Sequence, residues 1–286
     1  MRIAHISDLH FAKISYGPGQ FFSKRWLGNL NLMLRRGKAF CNKRPFKLIP
    51  KFKELGIEAC LITGDFTSTG NQAEYTLAKN FVTALQDAHI AVYAIPGNHD
   101  TYTKSNAAEK TFFDYFPSRF WKSAFGLAEN RCTVSKLTDG WWLLALDTTL
   151  ATSLISSQGL FPEELEALLP KALAEIPKGE KVLMMNHFPF AQNERPRRRM
   201  LRGRALQAFL ETHPQIQIYL HGHTHRLVLA DLRPSNLPIV LDSASASHQE
   251  LSSWNFIDLQ KDVCNIQVWQ WKNDNWNPTK QERFTF

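Results

Sequence analysis

Four cysteines are spread over 286 residues, and no two of them form a C-x-x-C pair. Cys41, Cys60, Cys132 and Cys264 are too dispersed for a thiolate metal site and suggest no disulfide framework, so buried reduced thiols are expected. No apolar stretch approaches the roughly 18 residues of a membrane-spanning helix. No serine sits on a G-x-S-x-G elbow, which removes one large class of nucleophilic hydrolase. Internal repeats, low-complexity tracts and flexible linkers are also missing. What the chain does have is 44 % hydrophobic residues and 12 % aromatics, enough to bury a sizeable core. This length allows one large α/β domain or two small ones.

Five polar clusters each close an apolar, strand-like run. The runs are residues 3–6, 59–63, 90–95, 182–185 and 216–220. The clusters are Asp8-Leu9-His10, Gly64-Asp65, Gly97-Asn98-His99-Asp100, Asn186-His187 and His221-Gly222-His223-Thr224-His225. A short apolar run bounded by a turn signal reads as a buried strand. Sites in open α/β sheets gather outside the carboxyl ends of the strands. Five such ends would bring two carboxylates, an amide oxygen and at least four imidazoles together. A single histidine after a strand is usually structural, but the joint pattern points to a metal centre.

The donor types suit divalent transition ions, with Mn²⁺ first and Fe, Zn or Ni as alternatives. Eight candidate groups are too many for one ion with an open position. Two ions about 4 Å apart, sharing a carboxylate, use the set naturally. Asp8, Asp65 and a bridging hydroxide would leave one positive charge, which a phosphodiester anion neutralises. The clusters extend over most of the chain, so a single domain spanning residues 1–286 is expected.

The order and spacing of these clusters resemble the calcineurin-like metallophosphoesterase superfamily. Its pattern runs D-x-H, G-D-x-x-D, G-N-H-D/E, a lone H and G-H-x-H. Here the blocks are SDLH at 7–10, GDFTS at 64–68, GNHD at 97–100, NHFP at 186–189 and HGHTH at 221–225. The resemblance implies a four-layer α/β/β/α sandwich. It implies that Asp8, His10, Asp65 and His225 hold one metal, that Asp65 bridges, and that Asn98, His187 and His223 complete a second site. It makes His99 the acid beside the leaving group. His221 would stand behind the ligands. One position departs from the pattern: the second Asp of G-D-x-x-D is Ser68. A hydroxyl cannot stabilise an imidazolium by charge. Either Asp100 or another acid is therefore expected to orient His99, or His99 is less committed to proton donation. The SDLH start with GNHD and HGHTH is most similar to the branch of cyclic nucleotide phosphodiesterases and UDP-diacylglucosamine hydrolases. Hydrolysis of a phosphodiester or pyrophosphate is the implied reaction.

The net charge of +8 is unevenly placed. Residues 20–55 hold ten Lys and Arg against one acid, and residues 195–204 hold six Arg and no acid. Arg197, Arg198 and Arg199 are candidates for substrate binding. Residues 16–45 form a basic aromatic insertion. Within it Phe22, Trp26, Leu30 and Met33 recur at helical spacing beside Lys24, Arg25, Arg35 and Arg36. Such a helix either packs on the core or meets an anionic membrane or lipid-linked substrate. A nuclease acting on nucleic acid and a non-catalytic metallated scaffold are the other readings. Candidate ligands begin at residue 8, inside the first strand, so a cleavable leader there would remove them. The expectation is a cytoplasmic enzyme, with peripheral membrane attachment as an alternative.

Helices are expected over residues 44–56, 71–88, 107–116, 162–174 and 204–212. A hairpin is expected to join 132–137 to 141–147 through Asp139-Gly140. Strands at 239–242, 254–259 and 264–271 should follow the last ligand block, then an aromatic tail.

Overall fold

The computed structural model describes residues 1–13, 39–120, 122–152 and 156–286. The helix expected over residues 20–36 lies outside the described residues, as does most of the insertion. In chain order the described strands are β1 (Arg2–Ile6), β2 (Ala59–Ile62), β3 (Ala91–Ala94), β4 (Cys132–Thr138), β5 (Trp141–Leu146), β6 (Gly159–Leu160) and β7 (Lys181–Met185). They continue as β8 (Met200–Leu201), β9 (Ile216–His221), β10 (Leu227–Asp231), β11 (Ile239–Ser243), β12 (Ser253–Leu259), β13 (Val263–Lys272) and β14 (Asn275–Thr285). Among the described residues the helices of eight residues or more are α1 (Leu48–Leu55), α2 (Gln72–Asp87), α3 (Glu163–Leu173) and α4 (Gly203–Glu211).

Twelve of these strands form two six-stranded sheets, ordered β14-β13-β12-β1-β2-β3 and β10-β11-β9-β7-β5-β4. In the first sheet β1, β2 and β3 run parallel; in the second β5, β7, β9 and β11 do. Apart from the edge strand β3, the parallel strands are largely buried on both faces, which is why they read as unbroken apolar runs.

Three hydrophobic clusters separate four layers. One, with Ile3, Leu61, Leu143, Leu183, Leu220 and Ile257, fills the space between the sheets. A second packs Phe52, Tyr75 and Phe81 of α1 and α2 against the first sheet. A third packs Leu165, Leu169 and Leu206 of α3 and α4 against the second. This is the α/β/β/α sandwich that the resemblance implies.

Register places the loops that matter. Ile6 pairs with Ile62, and Ile62 with Ala94, so β1, β2 and β3 end level. Met185 pairs with Leu220, which levels β7 with β9. All five polar clusters therefore leave the sandwich at one edge. Helix α2 starts where expected because Asn71 and Glu74 form a capping box. Helix α1 stops at Gly56, whose φ of 65° closes the turn.

Three expectations are corrected. The helix over 107–116 is two helices, Lys104–Glu109 and Phe112–Tyr115, broken at Lys110 in the left-handed region (φ 53°). The break lets Phe112 and Phe116 stack on Phe66 in the core. The aromatic tail is the edge strand β14. Asn273 and Asp274 both take positive φ and form a two-residue hairpin turn between Lys272 and Asn275. Pro278 is tolerated because β14 is an edge strand and its register shifts there. The short parallel pair β6–β8 was not expected. No described helix is long and apolar enough to cross a membrane.

Candidate metal centre

Asp8 and His10 follow β1, Asp65 follows β2, and Asn98 and His99 follow β3. His187 follows β7 from the other sheet, and His223 and His225 follow β9. Close backbone contacts join these turns: Asp8 N to Gly64 O at 3.0 Å, His10 N to Asp65 O at 2.9 Å, and Gly222 N to His187 O at 3.0 Å. Five of the candidate ligands lie in the left-handed region: Asp8, His10, Asp65, His223 and His225, with φ between 44° and 69°. Each such residue costs on the order of 1–3 kcal/mol and persists only where its surroundings dictate it. Two glycines permit the close packing. A Cβ on Gly97 would strike the carboxylate and backbone of Asp65, and one on Gly222 would strike Ser7 and Asp8.

The donors form two overlapping groups. In one, Asp8 Oδ1 lies 2.9 Å from His225 Nε2 and 3.4 Å from His10 Nε2, and the two Nε2 atoms are 3.0 Å apart. In the other, Asn98 Oδ1 lies 2.8 Å from His223 Nδ1 and 3.2 Å from His187 Nε2. Asp65 Oδ2 stands between them, 3.8 Å from His10 Nε2 and 3.5 Å from His187 Nε2. Asp8 and Asp65 are fully buried by side chain or nearly so, and His225 is the more open ligand at 26 % exposure.

Backbone carbonyls set the tautomers. A carbonyl only accepts, so the ring nitrogen facing it carries the proton. His10 Nδ1 donates to Thr67 O (3.3 Å), His187 Nδ1 to Thr63 O (2.7 Å) and His223 Nε2 to Arg198 O (2.8 Å). When the rings are neutral, the opposite nitrogen of each presents a lone pair to the shared space, toward carboxylate or amide oxygens that are also lone-pair donors. Asp8 Oδ2 receives hydrogen bonds from Ser7 Oγ (2.7 Å) and His223 N (3.0 Å), while buried Oδ1 has no hydrogen-bond donor among the described residues. Lone pairs facing lone pairs in a buried site fit a cation between them. The oxygen and nitrogen donor set fits divalent transition ions.

Electrostatics agree with the geometry. Burial pushes the carboxyls of Asp8 and Asp65 up, yet the surrounding imidazoles hold both below the usual range, His225 leading for Asp8 and His187 for Asp65. Burial lowers His187, but Asp65 outweighs it and pushes the ring up to about 9. Burial, aided by His187, holds His223 down at about 3. Positive charge is wanted at this point, and a proton on His187 supplies it in the metal-free protein.

The remaining candidates divide. His99 donates Nδ1–H to the backbone carbonyl of Ser68 at 2.6 Å. Thus residue 68 does orient His99, through its main chain, while its hydroxyl binds His10 O at 2.9 Å. Asp100 does not take over the role of the missing acid. Its oxygens accept from Phe66 N, Thr67 N, Thr67 Oγ1 and Gly97 N at 2.9–3.2 Å, tying the second turn to the third. His221 faces Asp242 Oδ2 (3.3 Å) and Gly222 O (3.0 Å), behind the ligand turn. Of the arginines, Arg198 binds His223 O at 2.8 Å and Arg199 is turned onto Glu194 O. Arg197 is exposed.

Residues not singled out from sequence contribute as well. Ser7 fastens Asp8. Thr224, between the two C-terminal histidines, is held by buried Asp242 at 2.6 Å. Phe40 walls the centre, with its ring 4.6 Å from that of His10 and 5.8 Å from that of His225. Thr63, Thr67 and Arg198 act through carbonyls, which no side-chain pattern reports. Ser7 and Thr224 could have been found as hydroxyls directly adjacent to ligands.

Two sheets thus close on a cluster of carboxylate, amide and imidazole donors that could hold metal ions. The family model for calcineurin-like phosphoesterase matches residues 1–227, and the chain belongs to that family. A relative named "Probable glycerophosphodiester phosphodiesterase GpdQ", from Arcobacter nitrofigilis, is 27 % identical over 208 residues. That match covers 71 % of this chain and 66 % of the relative, just under two thirds of its length. Among solved structures, a dimetal phosphatase from Danio rerio superposes with a TM-score of 0.68 at 12 % identity, covering 99 % of this chain and 98 % of the other. A purple acid phosphatase from yellow lupin (Lupinus luteus) seeds gives 0.61 at 10 % identity, covering 99 % of this chain and 53 % of that one. At these identities the two structures speak to the fold.

Proposed function

We propose that the chain is a binuclear phosphohydrolase that cleaves phosphodiester or pyrophosphate bonds. The observation carrying this is the set of buried lone pairs around Asp65, whose ring tautomers are set by backbone carbonyls. Asp8, His10, His225 and Asp65 would hold one ion; Asp65, Asn98, His187 and His223 would hold the other, with Mn²⁺ the first candidate. When bound, the pair supplies a water of lowered pKa and neutralises charge on the phosphoryl oxygens.

The protein's own groups do the rest. Thr67, Thr63 and Arg198 hold the imidazoles in their ligating tautomers through backbone carbonyls. Ser7 and the His223 amide hold Asp8 with Oδ1 toward the centre. His99, whose Nδ1–H donates to Ser68 O, would protonate the leaving oxygen through Nε2 when its ring is an imidazolium. The name of the Arcobacter relative favours a diester.

Elemental analysis of protein saturated with Mn²⁺ should give about two ions per chain. Activity on bis(p-nitrophenyl) phosphate should vanish on chelation and return with Mn²⁺. One ion or fewer at saturation overturns the binuclear reading.

A second reading, a membrane-surface hydrolase of a lipid-linked phosphodiester or pyrophosphate, draws on a specific feature. Leu251 is 63 % exposed in a turn that Arg44 grips at His248 O and Gln249 O, both at 2.7 Å. The His248 ring touches Phe40, which walls the centre. An apolar side chain beside the Arg44 cation near the site favours an anionic interface. Sedimentation with anionic and neutral vesicles tests it; equal binding to both ends it.

A further inference from the structure

His99 stands where the family pattern provides a carboxylate partner, yet residue 68 is a serine and Asp100 is engaged elsewhere. Its ring is nevertheless held on three sides. Nδ1 is bonded to Ser68 O at 2.6 Å. The His10 ring meets it edge-on, with centroids 4.9 Å apart and planes at 90°. On the remaining side the Tyr102 ring lies nearly parallel, with centroids 5.4 Å apart and planes at 19°. The backbone N–H of His99 is anchored as well, to Asp65 Oδ1 at 2.7 Å.

Tyr102 is itself built in. Asp100 O accepts from Tyr75 Oη at 2.5 Å, and Thr103 caps the following helix through Asn106 N at 3.1 Å. Asn106 Nδ2 returns to Gly70 O at 3.1 Å. Gly70 has φ 65°, and a Cβ there would come within 3.3 Å of Tyr102 Cβ, so the turn after Ser68 packs directly on the tyrosine. The segment that presents the Ser68 carbonyl and the segment that presents the Tyr102 ring therefore brace each other around His99.

We propose that Tyr102 is a positioning residue for His99: its ring and the Ser68 carbonyl clamp the imidazole between them. This rests on the reading of His99 as the proton donor to the leaving group. The clamp fixes the ring plane and keeps Nδ1–H on Ser68 O. The stack uses the aromatic ring, which phenylalanine keeps and alanine removes, so phenylalanine should replace tyrosine and alanine should not.

The test uses full-length protein with two variants, Tyr102→Phe and Tyr102→Ala, and His99→Ala as reference. Diphenyl phosphate has a poorer leaving group than bis(p-nitrophenyl) phosphate and needs more proton donation. His99→Ala should lose about a hundredfold in kcat on diphenyl phosphate, the lower end for a general acid, and much less on the nitrophenyl ester. Tyr102→Ala should lose about tenfold on diphenyl phosphate, which equals about 1.4 kcal/mol, and less than about threefold on the nitrophenyl ester. Tyr102→Phe should match the parent on both.

A readout independent of turnover is the ¹⁵N shift pair of the His99 ring in Mg²⁺-loaded protein. One fixed tautomer is expected in the parent and Tyr102→Phe, and averaged shifts in Tyr102→Ala. An unchanged tautomer in Tyr102→Ala, or equal losses on the two esters, overturns the clamp. If His99→Ala itself shows no leaving-group dependence, the proton-donor reading fails instead, while the ring shifts still report on the clamp.

Discussion

Asp65 joins the two donor groups, and replacing it with asparagine should separate them. The substitution keeps shape and removes one negative charge. In the structure Oδ2 lies 3.5 Å from His187 Nε2 and 3.8 Å from His10 Nε2, so it is within reach of both ion positions. Oδ1 is engaged by the His99 amide at 2.7 Å. An asparagine that keeps that amide bond must turn its NH₂ toward the two imidazole lone pairs, and an NH₂ cannot ligate. Both ions then lose a donor, and the pair loses the charge that allowed two dications to sit close together.

Removing an outer-shell partner of a ligand typically costs about 10–100-fold in affinity. A shared first-shell carboxylate should exceed that, so at least about a hundredfold, or about 2.8 kcal/mol, is expected for the weaker ion. Asn98→Ala removes one oxygen from one group and leaves the Asp8–His10–His225 cluster intact. It should retain one tight ion and regain part of its rate at high Mn²⁺. Asp65→Asn should hold at most one ion and stay inactive. Calorimetric Mn²⁺ titration with elemental analysis after desalting separates these outcomes. Two ions bound by Asp65→Asn with near-parental affinity would refute the shared-carboxylate argument.

Gly222→Ala should also abolish the second ion and lower stability, because the new methyl collides with Ser7 Oγ and Asp8 Oδ2 and must push the HGHTH turn away from β1; an unaltered metal titration would show that this turn has slack. Burial pushes the Cys132 and Cys264 thiols up to about 12 and Cys60 higher still, so native protein at pH 8 should leave these three unmodified by iodoacetamide over minutes, while partly exposed Cys41 is open to reagent. Peptide mapping that finds Cys60 labelled at the rate of Cys41 would contradict the packed core between α1, α2 and the first sheet.

The gathering of the donors was legible before the fold because strand ends and candidate ligands coincide in the chain. Each apolar run announces a buried parallel strand, and each cluster follows within a few residues of its end. That local order carries Asp8, His10, Asp65, Asn98, His187, His223 and His225, together with the helix over α2, whose capping residues lie within its own first turn. Nothing local could reveal which ring nitrogen of each histidine bears its proton. That depends on carbonyls from Thr63, Thr67, Ser68 and Arg198, and most of these lie far away in sequence. The orientation of His99 shows the limit well. Reading Ser68 as a side chain suggested a lost partner, whereas the folded turn supplies its main chain. Asp100, the substitute expected from sequence, is spent on holding two turns together. The type and order of the donors follow from local sequence because strands and turns form from neighbouring residues. The tautomers, the placement of Asp65 between the two donor groups and the stack of Tyr102 on His99 arise only when separate strand ends meet, because they are set by distances across the edge of the sandwich.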